Sequence, residues 1–459
     1  MKSRLVLIIL IFVCSSQSIF AKVALPNIFS DNMVLQRNAE VRFWGWGGPG
    51  EKITITTGWD GKSYDIQTVN DANWELTLST PGAGGPFVIQ FKGSDNEVVL
   101  QNVMIGEVWL CSGQSNMEWS ANSGLDNAES EIRNANHPNI RLFSVDKRTS
   151  DAPQNDLPGT WEVCTPESMA NFSAVAYFFA TRLQGEMNVP LGMIDSSWGA
   201  TCAEVWAPAQ VFETHSELKE AAKKIEPNQW VTTKPSSLYN AMIAPITDFR
   251  IAGALWYQGE SNTANAATYE KMFGTMIGSW REKWGYDFPF YFVQIAPYKY
   301  GSPEVGVMVR NQQRKTLALP QTGMVVVSDI CTVEDIHPRN KQDVGLRLAN
   351  MALKQHYKLF DGEVYGPTFK EIQIEGKKVT VLFDHGQGLW SKEKKMTQFE
   401  VAGSDGQFFP AKASIKDNMV VLSAKEVRVP TKVRFAWDNT DLATLFNAAG
   451  LPASSFISE

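Results

Sequence analysis

The stretch Gly106-Glu-Val-Trp-Leu-Cys-Ser-Gly-Gln-Ser115-Asn-Met117 decides how this chain is interpreted. Its apolar residues from Val108 to Leu110 predict a buried strand, and Gly113 predicts a turn directly after it. The turn presents Ser115 just before a polar segment that can begin a helix. Enzymes of the α/β class hold a nucleophile in this way at the carboxyl end of a strand. Because an ordinary turn has the same pattern, the hypothesis of a nucleophile needs a base elsewhere in the chain.

Length and composition restrict the class of protein. A chain of 459 residues favours two or three domains, and 44% hydrophobic with 20% charged residues is typical of a globular protein. The net charge of −7 argues against nucleic acid or an anionic membrane as a partner. Fifteen tryptophans can pack a core or stack on carbohydrate. No transmembrane segment is predicted.

The amino terminus has the pattern of a targeting segment. Two positive residues, Lys2 and Arg4, precede an apolar run from Leu5 to Val13 that is too short to span a bilayer. Ala21 is a suitable cleavage position, so residues 1–21 are interpreted as a signal peptide and the protein as periplasmic or secreted. Lipid attachment at Cys14 is disfavoured because the preceding valine is bulky.

The cysteines and histidines do not form a metal-binding pattern. Their spacing does not suit zinc, so we expect neither a metal nor another cofactor. Cys111, Cys202 and Cys331 are interpreted as small buried residues. Disulfide bonds among these three and Cys164 stay open, since an exported chain can form them.

Hydrophobic patterning divides the mature chain into three parts. Residues 22–103 alternate apolar and polar residues between Gly- and Pro-rich turns, which predicts a β-sandwich-like module. Residues 104–357 alternate apolar strands with helical segments, which predicts an α/β domain with a parallel sheet and helices on both faces. The β pattern returns in residues 358–459. The predicted strands of the middle part are Val108–Leu110, Leu191–Ile194, Ala252–Trp256, Phe290–Ile295 and Met324–Val327, and its predicted helices are Ser173–Gly185, Ala267–Trp284 and Lys341–His356.

Only one of the five histidines is predicted to lie just past a strand of the α/β domain. This is His337, in the segment from Val327 to Pro338, and it can serve as the base that a serine needs. A base also needs a group that orients its ring. Asp335, two residues earlier, points the same way as His337 if the loop is extended. In a turn-like loop Glu334 would take its place, and a main-chain carbonyl is a third alternative.

Two more predicted strand ends carry groups that can stabilise an oxyanion. Gly199 follows the strand that ends near Ile194, and its backbone N–H can approach a substrate oxygen. Gln258 and Asn262 follow the strand that ends at Trp256 and supply amide side chains. Together with the N–H of Ser115, these groups are the predicted oxyanion donors.

Three motifs resemble those of the sialate O-acetylesterase family, which belongs to the SGNH hydrolases. They are Gly113-Gln-Ser-Asn-Met, Trp256-Tyr-Gln-Gly-Glu-Ser-Asn262 and Asp335-Ile-His-Pro-Arg-Asn-Lys341. The segments 32–37 and 450–456 resemble the two ends of the same family. The resemblance implies an SGNH-type three-layer α/β/α domain between β-rich modules. It also implies Ser115 as nucleophile, His337 as base, and Gly199 and residues 258–262 in the other two motif blocks.

The resulting expectation is a carbohydrate O-acetylesterase. Its substrates would be O-acetylated sialic acids or an acetylated polysaccharide such as xylan, bound with the help of Gln114, Glu260 and Arg310. Arg310 and Arg314 can also pair with a sialate carboxylate, although surface charge explains them as well. A non-catalytic carbohydrate-binding protein and a lipid esterase or thioesterase of the same broad fold are the alternatives.

Overall fold

A computed structural model describes residues 22–458, so the predicted signal peptide lies outside the described residues. The strands are β1 (Val34–Gln36), β2 (Glu40–Trp46), β3 (Lys52–Thr57), β4 (Ser63–Gln67), β5 (Asn73–Ser79), β6 (Gly84–Lys92), β7 (Glu97–Gly113), β8 (His137–Ser144), β9 (Trp161–Cys164), β10 (Leu191–Ser197), β11 (Gly253–Tyr257), β12 (Phe290–Val293), β13 (Thr322–Val325), β14 (Thr368–Glu375), β15 (Lys378–Asp384), β16 (Trp390–Ser391), β17 (Phe399–Ala402), β18 (Phe408–Pro410), β19 (Lys412–Lys416), β20 (Met419–Ser423), β21 (Lys432–Phe435), β22 (Leu445–Phe446) and β23 (Phe456–Ile457).

The α-helices lie in the middle of the chain. They are α1 (Ser115–Glu118), α2 (Ala128–Asn134), α3 (Pro166–Asn171), α4 (Ala174–Met187), α5 (Ala209–Thr214), α6 (Ser216–Ala222), α7 (Tyr269–Trp284), α8 (Val305–Lys315) and α9 (Lys341–Ala352). Several 3-10 segments join them, of which Glu260–Thr268 is the longest, and α9 continues into a π-helical turn over Leu353–Tyr357. No helix among residues 22–458 is both long and apolar enough to cross a membrane.

The central sheet has the strand order β13-β12-β11-β7-β10-β8-β9. All neighbours pair in parallel except β8 and β9, which are antiparallel. Helices α7 and α8 pack their apolar residues on one face of the sheet, and α4 and α9 pack theirs on the other. The predicted three-layer α/β/α fold between β-rich segments is therefore confirmed, and β8 and β9 are strands that the sequence pattern did not identify.

Strand β7 belongs to two parts of the molecule at once. It is 17 residues long, and its residues from Val103 to Gly113 are all buried. Its first half pairs with β6 and β1 of the amino-terminal module, and its second half pairs with β10 and β11. The predicted boundary after residue 103 lies inside this strand. One hydrophobic core consequently continues from the amino-terminal module into the α/β domain.

The carboxyl-terminal part forms small antiparallel sheets around a separate apolar cluster. Strands β14, β15, β20 and β19 form one sheet, and β18, β17, β21 and β23 form another. The predicted β-rich character of this part is confirmed. The four cysteines among the described residues are all unpaired; three are buried and Cys331 is half-buried.

Candidate active site

Ser115 lies where the carboxyl ends of three parallel strands meet. Gly113, the last residue of β7, lies opposite Ser197 of β10 and Tyr257 of β11. Gly113 has a φ of 136°, and a Cβ there would lie 2.3 Å from the carbonyl oxygen of Tyr257, so only glycine is tolerated. The chain then turns into α1, whose first residue is Ser115. The backbone N–H of Ser115 is one of the donors that a helix start leaves free.

The base predicted for Ser115 is in hydrogen-bond contact with it. The Nε2 atom of His337 lies 2.8 Å from the Oγ atom of Ser115. His337 belongs to the long loop between β13 and α9. Arg347 of α9 holds that loop, because its guanidinium donates to the carbonyl oxygen of Val326 and pairs with the carboxylate of Asp329. Folding thus brings together two residues that are 222 positions apart.

The imidazole ring of His337 is stacked on an indole. The ring centroids of Trp119 and His337 are 4.3 Å apart, and their planes differ by 20°. Burial lowers the pKa of His337 below its usual value, the positive charge of Lys341 lowers it further, and Asp335 opposes this effect. Both causes of the decrease favour the neutral imidazole, which is the form that accepts a proton.

Asp335, predicted to orient the imidazole of His337, contacts the backbone of His337 and not its ring. One carboxylate oxygen of Asp335 accepts the backbone N–H of His337 at 2.9 Å, and the other lies 3.8 Å from Nε of Arg339. Glu334 is exposed and pairs with Lys299 at 3.0 Å. Within residues 22–458, Nδ1 of His337 forms no hydrogen bond. The ring is therefore held by stacking and by Ser115, with Asp335 fixing the loop.

A buried network beneath Ser115 and His337 was not predicted, and it contains Glu260, which was predicted to contact substrate but is buried and bonded to Asn116. Asn116 donates from Nδ2 to a carboxylate oxygen of Glu260 at 2.6 Å and to the carbonyl oxygen of Ile336 at 3.0 Å. Its Oδ1 accepts from Nζ of Lys341 at 2.5 Å. Burial lowers the pKa of Lys341 to about 7, against the opposing charge of Glu260, and raises the pKa of Glu260. Asn116 and Lys341 both belong to the motifs that resemble the family. Their presence in those motifs was the only sequence signal that could have pointed to the network.

Gly199 lies beside Ser115, as an oxyanion donor must. A Cβ on Gly199 would lie 3.3 Å from Cβ of Ser115, so the glycine permits the close approach. Its N–H donates to a carboxylate oxygen of Glu118 at 2.6 Å, and the other oxygen of Glu118 lies 2.5 Å from Nζ of Lys147. A substrate oxygen would have to displace Glu118 from this N–H.

The structure places the amides of Gln258 and Asn262 away from the pocket. Both side chains are fully buried. Nε2 of Gln258 donates to Thr201 and Asn262, and Nδ2 of Asn262 donates to Glu204 and Asn265. Their donors are therefore used within the protein, and the sequence reasoning failed here because it could not show which way these amides point.

Gln114 is the amide residue that lines the pocket instead. Its Oε1 accepts the backbone N–H groups of Gly259 and Ser261, each at 3.3 Å. Among residues 22–458, its Nε2 has no hydrogen-bond partner, and the side chain lines the pocket together with Ser115 and His337. Gln114 was predicted to contact substrate, and the structure gives it a free donor for doing so.

Arg310 lies outside the pocket. It is 1% exposed, and its guanidinium donates to the carbonyl oxygens of Asp438 and Asn439 and to Oγ of Ser455. These bonds join α8 to the carboxyl-terminal part. Arg314, on the same helix, interacts with Asn311. Because Arg310 is enclosed by these partners, its guanidinium cannot reach a sugar bound at Ser115.

The pocket above Ser115 is open and has a volume of about 500 Å³. Besides the residues already described, its lining includes Trp198, Ala200 and Trp230. Trp230 is 73% exposed, which is unusual for a tryptophan. Sequence reasoning did not single out either tryptophan, because nothing in the local sequence shows that its side chain faces a pocket. No group of three potential metal ligands is found among residues 22–458.

Comparison with known proteins identifies the family of the chain. The family model described as carbohydrate esterase, sialic acid-specific acetylesterase matches residues 105–354. The chain belongs to this family. It is 29% identical to the sialate O-acetylesterase of Mus musculus, over 94% of this chain and 93% of the mouse protein, and 29% identical to that of Homo sapiens, over 81% and 78%.

A solved structure supports the same assignment. A carbohydrate acetylesterase from Xanthomonas citri superposes with a TM-score of 0.87 at 35% identity, covering 95% of this chain and 99% of that one. The predicted family and the predicted esterase class are thereby confirmed. The family match covers the segment that contains Ser115 and His337, so this esterase carries the pair within its family domain.

Proposed function

We propose that this esterase hydrolyses acetyl esters of sugars with Ser115 as nucleophile and His337 as general base. The observation that carries the proposal is the 2.8 Å contact between Nε2 of His337 and Oγ of Ser115. Oγ attacks the acetyl carbonyl carbon while Nε2 takes the hydroxyl proton. The tetrahedral intermediate collapses, and the sugar oxygen leaves with that proton. Water, deprotonated by His337, then attacks the acetyl-serine and releases acetate and Ser115.

The proposal assigns three donors of the pocket lining to the developing oxyanion. They are the backbone N–H groups of Ser115 and Gly199 and the free Nε2 of Gln114. The N–H of Gly199 becomes available when the substrate displaces Glu118. Each such donor typically contributes ~3 kcal/mol of transition-state stabilisation.

Replacement of Ser115 tests the mechanism. We expect Ser115→Ala to lose at least ~10³-fold in kcat, because it removes the only atom that forms the acyl-enzyme. The measurement is acetate release from O-acetylated sialic acid, acetylated xylan, an acetylated monosaccharide and ethyl acetate, with an octanoyl ester to test for a lipid esterase. Ser279→Ala, on α7 and outside the pocket, is the control. Unchanged acetate release by Ser115→Ala would contradict the proposal.

The sugar class is the second part of the proposal. The names of the mammalian relatives favour sialic acids, and Lys147 is the basic residue that lines the pocket. Lys147 is already paired with Glu118, so its positive charge is balanced within the protein. This favours uncharged acetylated sugars, such as those of plant polysaccharides, over the carboxylate of a sialic acid. The substrate panel distinguishes the two classes through the ratio of kcat/KM values.

Trp230 is proposed as the stacking surface for the sugar ring. We expect Trp230→Ala to raise KM for acetylated sugars about tenfold, the equivalent of ~1.4 kcal/mol, and to leave hydrolysis of ethyl acetate unchanged. Trp230→Phe should restore most of the affinity because it keeps a flat ring. If Trp230→Ala impaired hydrolysis of ethyl acetate to the same extent, Trp230 would contribute to the reaction itself rather than to sugar binding.

We further propose that the protein is exported. The support is the positive and apolar pattern of residues 1–21. Mass spectrometry of the amino terminus of the protein from its own cell envelope tests this, with cleavage after Ala21 as the expected result. An uncleaved amino terminus would contradict it.

A further inference from the structure

A second pocket lies between the amino-terminal module and the α/β domain. It has a volume of about 510 Å³ and is lined by Trp44 and Trp46 of β2, Asn73 of β5, and Gln154 and Asn155 of the loop between β8 and β9. We call this pocket the Trp44–Trp46 groove. It has no lining residue in common with the pocket at Ser115.

The two tryptophans form an aromatic surface because they are two residues apart in a strand. Side chains at positions i and i+2 lie on the same face, and Gly45 between them lies against Ala24 and Trp74. Both Trp44 and Trp46 remain partly exposed. Neither indole N–H has a hydrogen-bond partner among residues 22–458.

The polar groups of the groove suit hydroxyl groups rather than charges. The side-chain amides of Asn73 and Asn155 are exposed and form no hydrogen bond within residues 22–458. The groove is lined by two carboxylates, Glu75 and Asp248, and both lie within 4 Å of Arg42, at 3.6 and 2.8 Å. None of the lysines and arginines among residues 22–458 lines the groove. Flat aromatic faces with free amide and indole groups are suited to pyranose rings, and the lack of a lining cation disfavours an acidic sugar.

One loop connects the groove with the active site. Lys147 of this loop lines the catalytic pocket, and Gln154, seven residues later, lines the groove. Seven residues of fully extended chain span at most about 25 Å. Lys147 and Gln154 are therefore within about 25 Å of each other, a distance that a glycan of several units can span.

We propose that the Trp44–Trp46 groove binds a neutral polysaccharide and holds its chain while the acetyl groups reach Ser115. Binding of a polysaccharide in the groove does not depend on catalysis. The effect of that binding on turnover, in contrast, rests on the proposed function. The two parts therefore need separate measurements.

The binding measurement uses affinity gel electrophoresis of the full protein with three polymers: deacetylated xylan, deacetylated glucomannan and polysialic acid. We expect at least one neutral polymer to retard the wild type, and Trp46→Ala to weaken that binding at least tenfold. Trp390→Ala is the matched control, because Trp390 is a 44% exposed tryptophan in the carboxyl-terminal part. The double variant Asn73→Ala/Asn155→Ala changes only exposed groups and should also weaken binding.

Three results would overturn the binding claim: retardation by polysialic acid alone, no retardation by any neutral polymer, or equal retardation of the wild type and both groove variants. The Asn73→Ala/Asn155→Ala variant keeps the test valid if Trp46→Ala does not fold. Trp44→Phe should retain binding, since it keeps the ring and its packing on Phe29.

The kinetic measurement separates the groove from the catalytic site. Trp46→Ala should lower kcat/KM several-fold on an acetylated polysaccharide and leave it unchanged on an acetylated monosaccharide. An equal loss on both substrates would overturn the claimed benefit to turnover. If the wild type hydrolyses no acetylated sugar, the proposed function fails while the binding result stands.

Discussion

His337 has an environment that keeps its imidazole neutral. The pKa is lowered by burial and by Lys341, and Asp335 opposes the decrease. A base acts in its neutral form, so activity should rise with pH through a pKa below the usual 6.5. With a pKa of about 7, Lys341 is largely charged in that acid range, and its effect on His337 is therefore present there.

Two substitutions should shift the pH profile in opposite directions. Lys341→Met removes a positive charge and should move the acid limb of kcat/KM to higher pH, because the pKa of His337 rises. Asp335→Asn removes a negative charge and should move it to lower pH. The measurement is kcat/KM for ethyl acetate between about pH 4 and pH 9, with Lys299→Met, at an exposed residue paired with Glu334, as the control. A shift of both variants in one direction would contradict this account.

At the scale of elements, Asn116 connects three segments. Its side chain joins the start of α1 to Glu260 in the 3-10 segment after β11, and to Ile336 and Lys341 around the His337 loop. These contacts set the distance between nucleophile and base. Loss of Asn116 would leave buried polar groups without partners, at a cost of about 1–3 kcal/mol each.

Asn116→Ala should therefore affect both catalysis and stability. We expect kcat to fall about 10–100-fold with little change in KM, because a displaced base slows the chemical step. The acid limb of the pH profile should also move, since Lys341 loses a partner beside His337. Asn439→Ala is the control, because Asn439 is a buried asparagine whose side chain accepts the N–H of Gly306. This substitution should lower only the free energy of unfolding. Equal pH profiles for Asn116→Ala and the wild type would reject this positioning role.

The elements themselves were largely predictable from hydrophobic patterning. The five predicted strands of the α/β domain and its three long helices are all present, because continuous apolar runs and helical periodicity are local signals. Strands β8 and β9 were missed, since their sequences alternate less clearly and β8 contains Pro138. The directions of the Gln258 and Asn262 amides could not be predicted, because they depend on partners such as Thr201 and Glu204 that are distant in sequence.

At the scale of the whole molecule, Arg310 holds the carboxyl-terminal part against α8. Arg310→Met should lower the free energy of unfolding by about 3 kcal/mol, because the carbonyl oxygens of Asp438 and Asn439 lose a charged donor. KM for acetylated sialic acid should not change below the melting temperature. The measurements are thermal unfolding and steady-state kinetics. If Arg310→Met raised KM for acetylated sialic acid and left the free energy of unfolding unchanged, Arg310 would be a substrate contact after all.

By itself, the sequence determined the fold class and the family, and it singled out Ser115 and His337, which the structure places in hydrogen-bond contact. The fold class and the two residues follow from local patterns: an apolar run before Ser115, helical periodicity in the segments between the strands, and a histidine just past a strand. The family follows from the resemblance of three short motifs. The tertiary structure alone decided which groups surround the pair. The role of Asp335 in the loop, the stacking of Trp119, the network of Asn116 and the inward turn of the Gln258 and Asn262 amides all depend on side-chain direction and on long-range contacts, which no local pattern encodes.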